Sequence, residues 1–370
     1  MGNPSCGLCG RVMIRHGKTA SGRQRFRCKA CSATGTRRLD TRARDFAAFL
    51  RFVTGTGTYL DLPGGGRQAR RRFAPFWSLW PLSPLVDEVH PVVFVDAIYL
   101  HRRAAILIAC TPTHVVGWYV ARTERTDAWA ALFSRIAAPD VVVCDGGSGI
   151  VSALAQQWPT THVQRCTFHA FSVVKRYTTS RPRTQAGVEL YELARGLLAI
   201  RTREESLAWL VELTAWNARW KGFLAQKTRL PDGSYVNTHD RLVRAKNSLN
   251  TLARRGTLFT YLREDLAGLD VPATTNRIEG LNSRIRDLLR HHRGMGLTHQ
   301  IKSVCWWLYA RTEYPLTPAQ ILTATPTDQQ ITALFTAADH RAHAQHEINR
   351  WGTAVNWTDL HHSSPFQQDY

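Results

Sequence analysis

The chain has 370 residues, of which 44% are hydrophobic, so it can bury one large core or two with small appendages. Its formal net charge is +20 at pH 7, and residues 1–80 contain 16 basic and 3 acidic side chains. A field of this sign attracts polyanions, and its concentration in one fifth of the chain favours nucleic acid over a merely solubilising surface.

No run approaches the ~18 apolar residues of a membrane span, and the N-terminus lacks the apolar core of a signal peptide. We therefore expect an intracellular, cytoplasmic protein. Its eight cysteines should stay reduced there, so closely spaced cysteine pairs indicate a metal site before a disulfide.

The first domain is predicted to be a zinc ribbon over residues 1–38. Two Cys-x-x-Cys pairs, Cys6 with Cys9 and Cys28 with Cys31, can present four thiolates to one structural Zn²⁺. A purely structural zinc knob is the alternative to a DNA-contacting ribbon, and the two roles are compatible. The arginines expected to meet phosphates here are Arg23, Arg25 and Arg27.

Residues 39–88 are predicted to form a small helical DNA-binding region. A helix begins at Thr41 and stops at a glycine-containing turn, and a second basic helix follows over Arg67 to Phe76. Two short helices joined in this way resemble a degenerate helix-turn-helix, and a basic linker is the alternative. The candidate DNA contacts are Arg70, Arg71 and Arg72.

Residues 89–178 read as strand, strand, strand, helix, strand, helix, strand, which predicts an α/β domain with a mixed sheet. This is the element order of the ribonuclease H-like fold, in which the first and fourth strands lie side by side. The predicted elements are strands 92–100, 104–111, 115–121, 141–147 and 161–166 with helices 127–137 and 148–158.

Two strand-borne acids are the first candidates for catalysis. Asp96 lies inside the first strand and Asp145 ends the fourth, so they would be neighbours at the working edge of the sheet. Paired carboxylates repel unless divalent cations lie between them, as in two-metal phosphoryl-transfer sites. Gly146 and Gly147 are expected to keep the approach open for a nucleic-acid backbone. The alternatives without a catalytic role are a strand-ending turn aspartate for Asp145 and a buried, hydrogen-bonded acid for Asp96.

Residues 179–270 are helical and basic, which predicts an all-α insertion into the α/β domain. Trp209, Trp216 and Trp220 recur at near-helical spacing and are expected in the core, with stacking of one of them on an unpaired base as the alternative. The insertion's cations would line a DNA channel or simply be a solvated face. They are Lys221, Lys227, Arg241, Arg244, Lys246, Arg254 and Arg255.

The third candidate acid, Glu279, lies in a helical segment of residues 271–315, the last part of the α/β domain. One helix face is apolar, and a second face is expected to present polar side chains. The apolar set is Ile278, Leu281, Ile285, Leu288 and Leu289, and the polar set is Glu279, Asn282, Ser283, Arg286 and Arg290. The alternative is that Asn276 caps the helix and Glu279 completes a capping box.

Three arginines past Glu279 could clamp phosphates, with salt-bridged surface arginines as the alternative. They are Arg286, Arg290 and Arg293. A buried helix is predicted over Leu297 to Tyr309, and residues 316–370 are read as a C-terminal tail without predicted elements. Cys166 and His169 follow the fifth strand, and we expect hydrogen bonding near the site from them because one Cys-x-x-His pair supplies only two of four zinc ligands.

These motifs resemble bacterial insertion-sequence transposases of the DDE class in the Mutator-like superfamily, roughly from Cys6 to Tyr309. The most specific motif is Thr275-Asn276-x-x-Glu279-x-x-Asn282. The other motifs are Val95-Asp96-Ala97 with Tyr99-Leu100, Cys144-Asp145-Gly146, Arg165-Cys166-x-x-His169 and Arg284-x-Arg286.

The resemblance implies that Asp96, Asp145 and Glu279 are the catalytic triad and hold two Mg²⁺ or Mn²⁺ ions. It marks four further residues as supporting the site: Cys166, His169, Asn276 and Asn282. Family members act as oligomers on paired DNA ends, so the partners implied are double-stranded DNA, both transposon ends and target, and at least a second copy of the chain. A nucleoid-associated location follows from the same resemblance.

The implied reaction is cleavage at the end of an insertion sequence and joining of the freed 3′-hydroxyl to target DNA by two-metal phosphoryl transfer. A ribonuclease H-like nuclease or resolvase would share the metal site without strand transfer. A catalytically inactive zinc-ribbon regulator would retain DNA binding alone, and the presence of all three acids argues against it.

Overall fold

The structure, a computed structural model, describes residues 2–6, 9–36, 41–62 and 65–344. Residues 338–344 are described by their backbone alone. The prediction for the tail beyond residue 344 lies outside these residues. No helix among them has both the length and the apolar character needed to cross a membrane.

A five-stranded mixed sheet forms the centre of the molecule. Its strands are β4 (Val92–Leu100), β5 (Ala104–Cys110), β6 (Val115–Ala121), β7 (Val141–Cys144) and β8 (His162–Arg165), in the order β6-β5-β4-β7-β8. β4 and β5 pair antiparallel, as do β5 and β6, whereas β4, β7 and β8 run parallel. The prediction that the first and fourth of these strands lie side by side is confirmed.

Side-chain alternation along β4 decides what each face of this sheet packs against. Val93 and Val95 join a core with α3 (Thr126–Phe133) and α4 (Ser148–Gln157). On the opposite face, β4 residues of the other parity pack against two later helices. These are α10 (Asn276–His291) and α11 (Leu297–Tyr309). Asp96 has this second parity, so its side chain lies on the face that α10 covers.

The segment between β8 and α10 is mostly helical, as the sequence indicates. Its elements are α5 (Thr167–Thr178), α6 (Gln185–Gly196), α7 (Arg203–Arg219), α8 (Lys221–Leu224), β9 (Lys227–Arg229), β10 (Tyr235–Asn237) and α9 (Asp240–Arg254). Trp209 and Trp216 are buried in a separate core and Trp220 packs against it, so the core prediction for these tryptophans is confirmed. The short β9–β10 hairpin was not predicted.

The N-terminal strands form a small antiparallel sheet. They are β1 (Ile14–Lys18), β2 (Gln24–Arg27) and β3 (Thr34–Thr36). The two predicted helices that follow are α1 (Arg42–Val53) and α2 (Gly65–Phe73). Phe46 and Phe49 of α1 share a core with Trp306 of α11, so this helical region packs directly on the central domain.

Two helices occupy a stretch for which the sequence analysis predicted no element, α12 (Pro318–Ala324) and α13 (Asp328–Ala344). The buried Lys302 of α11 ties the start of α13 to the core. Its ammonium donates to the Asp328 carboxylate over 2.6 Å and to the Trp77 carbonyl over 2.5 Å. Burial lowers the pKa of Lys302, and the Asp328 carboxylate opposes that shift.

Candidate active site

Asp96 and Asp145 are held by adjacent parallel strands. Val95 of β4 pairs with Cys144 of β7. Asp96 directly follows Val95, and Asp145 directly follows Cys144. Burial, together with the nearby carboxylates of Glu279, Asp145 and Glu124, raises the pKa of Asp96 to about 7. Asp96 is therefore a desolvated acid surrounded by like charge.

Asn282 connects helix α10 to this carboxylate. Its Nδ2 donates to Oδ2 of Asp96 over 2.8 Å, and the side chain is fully buried. The expectation that Asn282 shares an outer polar face with Glu279 is wrong, because it lies among Ile278 and Ile285 on the sheet side of the helix. Its Oδ1 is buried without a hydrogen-bond partner, so an acceptor beside Asp96 is left unsatisfied.

The start of α10 is held by side chains of α5 and not by a capping box. Thr275 is the N-cap and makes no side-chain cap bond, while Asn276 is the first helical residue, so the proposed Asn276–Glu279 capping box is wrong. The Thr275 hydroxyl lies instead 3.4 Å from Cys166 Sγ and 3.5 Å from His169 Nδ1. It is thus oriented away from the helix end that it would otherwise cap.

His169 links this arrangement to Glu279. Its Nε2 lies 3.6 Å from Oε1 of Glu279, and both side chains are partly exposed. Hydrogen bonding to Cys166 raises the pKa of His169. Burial alone would raise the pKa of the Cys166 thiol, but its hydrogen bonds with His169 and Thr275 lower that pKa to about 7. Cys166, His169 and Thr275 therefore form one hydrogen-bonded group behind Glu279.

Backbone contacts fix the return of the chain from the insertion to α10. Thr167 donates its N–H to the Ala273 carbonyl over 3.0 Å. The buried Gln164 donates to the Leu258 carbonyl over 3.0 Å and accepts from the Tyr261 N–H over 3.1 Å. Strand β8 and the start of α5 thereby hold the segment that leads into α10, although about 100 residues separate these parts of the chain.

The expectation that Gly146 leaves open space is wrong. Gly146 has φ of +73°, and a Cβ there would lie 2.1 Å from Nη1 of Arg165. The Arg165 guanidinium fills that space, and its Nε and Nη1 are buried without hydrogen-bond partners. Gly147 donates its N–H to Oδ1 of Asp145 over 3.0 Å. The turn after β7 is shaped around a buried cation and the aspartate.

Glu124 is an acid of this region that the sequence analysis missed. Burial and the Asp145 carboxylate raise the pKa of Glu124, and its carboxylate is hydrogen-bonded by Tyr99. β6 runs in the same direction as β4, so the residues after both strands meet at one edge of the sheet. An acid three residues past the predicted third strand was the available signal.

The carboxylates suit a hard divalent cation by chemistry, since Mg²⁺ and Mn²⁺ prefer oxygen ligands. The raised pKa of Asp96 and the unsatisfied Asn282 Oδ1 fit a group that would supply positive charge and bound water. Among the described residues, though, these acids are not gathered within 4.8 Å of one another as potential ligands.

The cysteine cluster is the second candidate metal centre. The ligand atoms of Cys6, Cys9, Cys28 and Cys31 all lie within 4.8 Å of one another. Individual Sγ–Sγ distances of 3.4–3.6 Å are too long for a disulfide. Backbone N–H groups, that of Cys31 first, lower the pKa of Cys28 to about 6, whereas hydrogen bonds with the neighbouring thiols raise the pKa of Cys9 and of Cys31. The cluster can hold one structural zinc ion.

The arginines expected to contact DNA differ in accessibility. Those of the ribbon, Arg23, Arg25 and Arg27, are exposed, whereas Phe26 between them is buried beside the cysteines. Arg70 and Arg71 are exposed and Arg72 is half-buried. On α10 and after it, Arg286 and Arg293 are exposed, and the exposed Arg290 forms an ion pair with Asp287 over 2.9 Å.

Comparison with known proteins gives two matches. The family model for "Transposase, Mutator family" matches residues 78–210, a segment that contains Asp96, Asp145, Cys166 and His169 but ends before Glu279. A protein of Corynebacterium diphtheriae described as "Probable transposase for insertion sequence element" is 26% identical over 165 residues. That alignment covers 38% of this chain and 48% of the relative, so the chain spans about half the length of the curated protein it matches.

Proposed function

We propose that this chain is a transposase of the Mutator family, which binds the ends of an insertion sequence and moves them. The match of residues 78–210 to that family's model supports the proposal. In this proposal the protein cuts DNA at the element's ends and joins the freed 3′-hydroxyl groups to target DNA. The observation that carries it is the convergence of two strand-borne aspartates and helix α10 on one side of the central sheet.

A ribonuclease H-like fold is part of the proposal. The strand order, with the first, second and third strands antiparallel and the fourth and fifth parallel to the first, is the order expected for that fold. The insertion between β8 and α10 would then divide one catalytic domain into residues 89–178 and 271–315. The other proposed units are 1–38, 39–88, 179–270 and the C-terminal part from 316.

We assign distinct roles to the residues of the site. Asp96, Asp145 and Glu279 would hold two Mg²⁺ or Mn²⁺ ions, which when bound supply Lewis-acid activation of water and charge stabilisation. Asn282 orients the Asp96 carboxylate through its 2.8 Å hydrogen bond. Cys166, Thr275 and His169 hold Glu279 from behind, and Asn276 begins the helix turn that leads to it. None of these roles requires a covalent enzyme intermediate.

A groove between α7, α8 and α9 is the proposed path for part of the DNA backbone. It encloses about 800 Å³, and its charged lining consists of Lys221, Lys246 and Arg254 without an acid. Amides of Asn217 and Asn250 also line it and are hydrogen-bonded to each other. Cations with amide donors are the groups that contact phosphates, so this groove favours the DNA-channel interpretation of the insertion's charge.

The decisive experiment is strand cleavage on defined DNA. Purified full-length protein with Mg²⁺ and a duplex carrying the element boundary should nick at that boundary and join the 3′ end to a target duplex. Asp96→Asn should abolish both reactions and retain DNA binding, because the change removes one negative charge while keeping the side-chain shape. Cleavage that persists in this variant would refute the assignment.

The same assay separates the alternatives. A nuclease or resolvase would cut without joining ends to target, and an inactive regulator would bind without cutting. Terminal inverted repeats flanking the gene would favour the transposase over both. The oligomeric form, which we expect to be at least a dimer on paired ends, is measured by light scattering of the protein–DNA complex.

A further inference from the structure

A cavity of about 440 Å³ lies beside the candidate active site, between the start of α5, the α6–α7 connection and the start of α10. Leu198, Tyr261 and Phe168 provide its apolar walls, and Thr274, Asn276 and Arg201 its polar ones. Its volume falls within the roughly 300–1,000 Å³ of small-ligand pockets. Among the described residues, the lining contains one cation and no carboxylate, so the cavity is suited to a neutral or anionic ligand.

Phe168 is the unusual member of this lining. It is a large apolar side chain that is 52% exposed, and its ring belongs to none of the described cores. It is also the direct neighbour of His169, whose Nε2 lies 3.6 Å from Glu279. Asn276 lies one helical turn before Glu279 on α10. The cavity is therefore adjacent to the acid at which we propose that strand cleavage occurs.

The walls of the cavity are fixed before any ligand enters. The Tyr261 hydroxyl donates to the Ile200 carbonyl over 3.1 Å, and Nη1 of Arg201 donates to the same carbonyl over 2.8 Å. Tyr261 is also held through its backbone by Gln164. An apolar slot with fixed walls, an exposed ring at its rim and an amide beside it has the features that hold an unstacked nucleobase.

We propose that this cavity receives an unstacked nucleobase of the DNA strand next to the cleaved phosphodiester, with Phe168 as its stacking surface and Asn276 as its hydrogen-bonding group. This inference rests on the proposed function. A base at a strand end or nick has lost part of its stacking, so less free energy is needed to extrude it. Of the three tryptophans considered from sequence for this role, Trp209 and Trp216 are buried elsewhere and Trp220 packs against the same core.

The test asks whether the affinity lost on replacing Phe168 depends on the base at one nucleotide of the boundary DNA. Affinity for boundary DNA is measured in an Asp96→Asn background, where the DNA stays intact, with and without Phe168→Ala. Loss of a base-stacking contact should weaken binding on the order of 5- to 150-fold. When an abasic nucleotide is moved along the boundary, one position should make the two proteins bind equally, and Phe168→Tyr should restore affinity on intact DNA.

Tyr314→Ala is the matched control, since Tyr314 is an aromatic residue that is 83% exposed and lies outside this cavity. It should bind every duplex as the parent does. Equal affinity of Phe168→Ala and parent on intact DNA would overturn the inference, and so would a defect that no abasic position removes. If the wild-type chain neither binds nor cuts boundary DNA, the proposed function itself fails. If the wild-type chain cuts boundary DNA but the Phe168→Ala defect does not depend on the abasic position, only the nucleobase-pocket inference is refuted.

Discussion

Asn282 donates a 2.8 Å hydrogen bond to Asp96, a residue 186 positions earlier in the chain. This contact joins α10 to the central strand of the sheet at the point where the carboxylate is desolvated. It also explains why a polar side chain is tolerated on the buried face of the helix, since a buried amide without a partner would be costly.

Replacing Asn282 should therefore impair both folding and chemistry. Asn282→Ala removes the side-chain donor to Asp96 and should lower the free energy of unfolding by about 1–3 kcal/mol. A displaced carboxylate should also reduce cleavage by roughly 10- to 100-fold, as for other outer partners of metal ligands. Urea unfolding and single-turnover cleavage measure the two effects. Ser283→Ala, at the exposed neighbouring position, should alter neither.

The raised pKa of Asp96 predicts a pH-dependent stability of the protein without divalent cations. Because the folded-state pKa of about 7 exceeds the ordinary aspartate pKa of 3.8, the stabilisation is complete below about pH 4 and is lost as pH rises through 7. The wild-type free energy of unfolding should be lower at pH 8 than at pH 5 by roughly 2–4 kcal/mol from this group. Asp96→Asn should remove that component, and Mg²⁺ should restore wild-type stability at pH 8. An unchanged pH profile in the variant would contradict the assignment.

His169 should act by holding Glu279 and not by reacting. His169→Ala removes the contact to Glu279 while leaving the metal-binding acids in place. We expect the Mg²⁺ concentration for half-maximal cleavage to rise by about 10- to 100-fold, with recovery of the rate at high Mg²⁺. His162→Ala, at the opposite end of β8, is the control. A fall in rate that no Mg²⁺ concentration restores would point to a direct chemical role.

The cysteine cluster predicts one zinc ion per chain. Cys31→Ser or chelation should expose residues 2–36 to proteolysis and leave the central domain folded, since this small sheet has few other buried side chains. Elemental analysis and limited digestion measure the effect. Lys29→Ala, between Cys28 and Cys31, should retain the metal. Full zinc content after loss of Cys31 would exclude a four-cysteine site.

The α7–α9 groove predicts a specific change in salt dependence. Changing Lys221, Lys246 and Arg254 together to Gln should reduce the slope of log affinity against log salt concentration by about 3, roughly 0.9 for each phosphate contact. The control is the triple change of Arg195, Arg219 and Arg263 to Gln, since these exposed arginines are ion-paired with Glu192, Glu189 and Asp265. Equal slopes in the two triple variants would show that the groove does not contact the backbone.

Local patterns determined much of this protein. Alternating and continuous apolar runs predicted the five central strands in order, and helical periodicity predicted α10 and α11, because these signals lie within a few neighbouring residues. Cysteine spacing likewise predicted the cluster, since four thiolates at two short turns have few other uses.

Tertiary structure alone decided which polar groups meet. Whether Asn282 faces solvent or Asp96, whether Thr275 caps its helix or bonds Cys166, and whether Gly146 borders open space or Arg165 depends on partners from distant segments. Helix periodicity cannot distinguish these cases, because a polar side chain on an inward position is acceptable only when its partner is also present. That partner is supplied by the packing of α10 and β8 against the sheet, which no single stretch of sequence encodes.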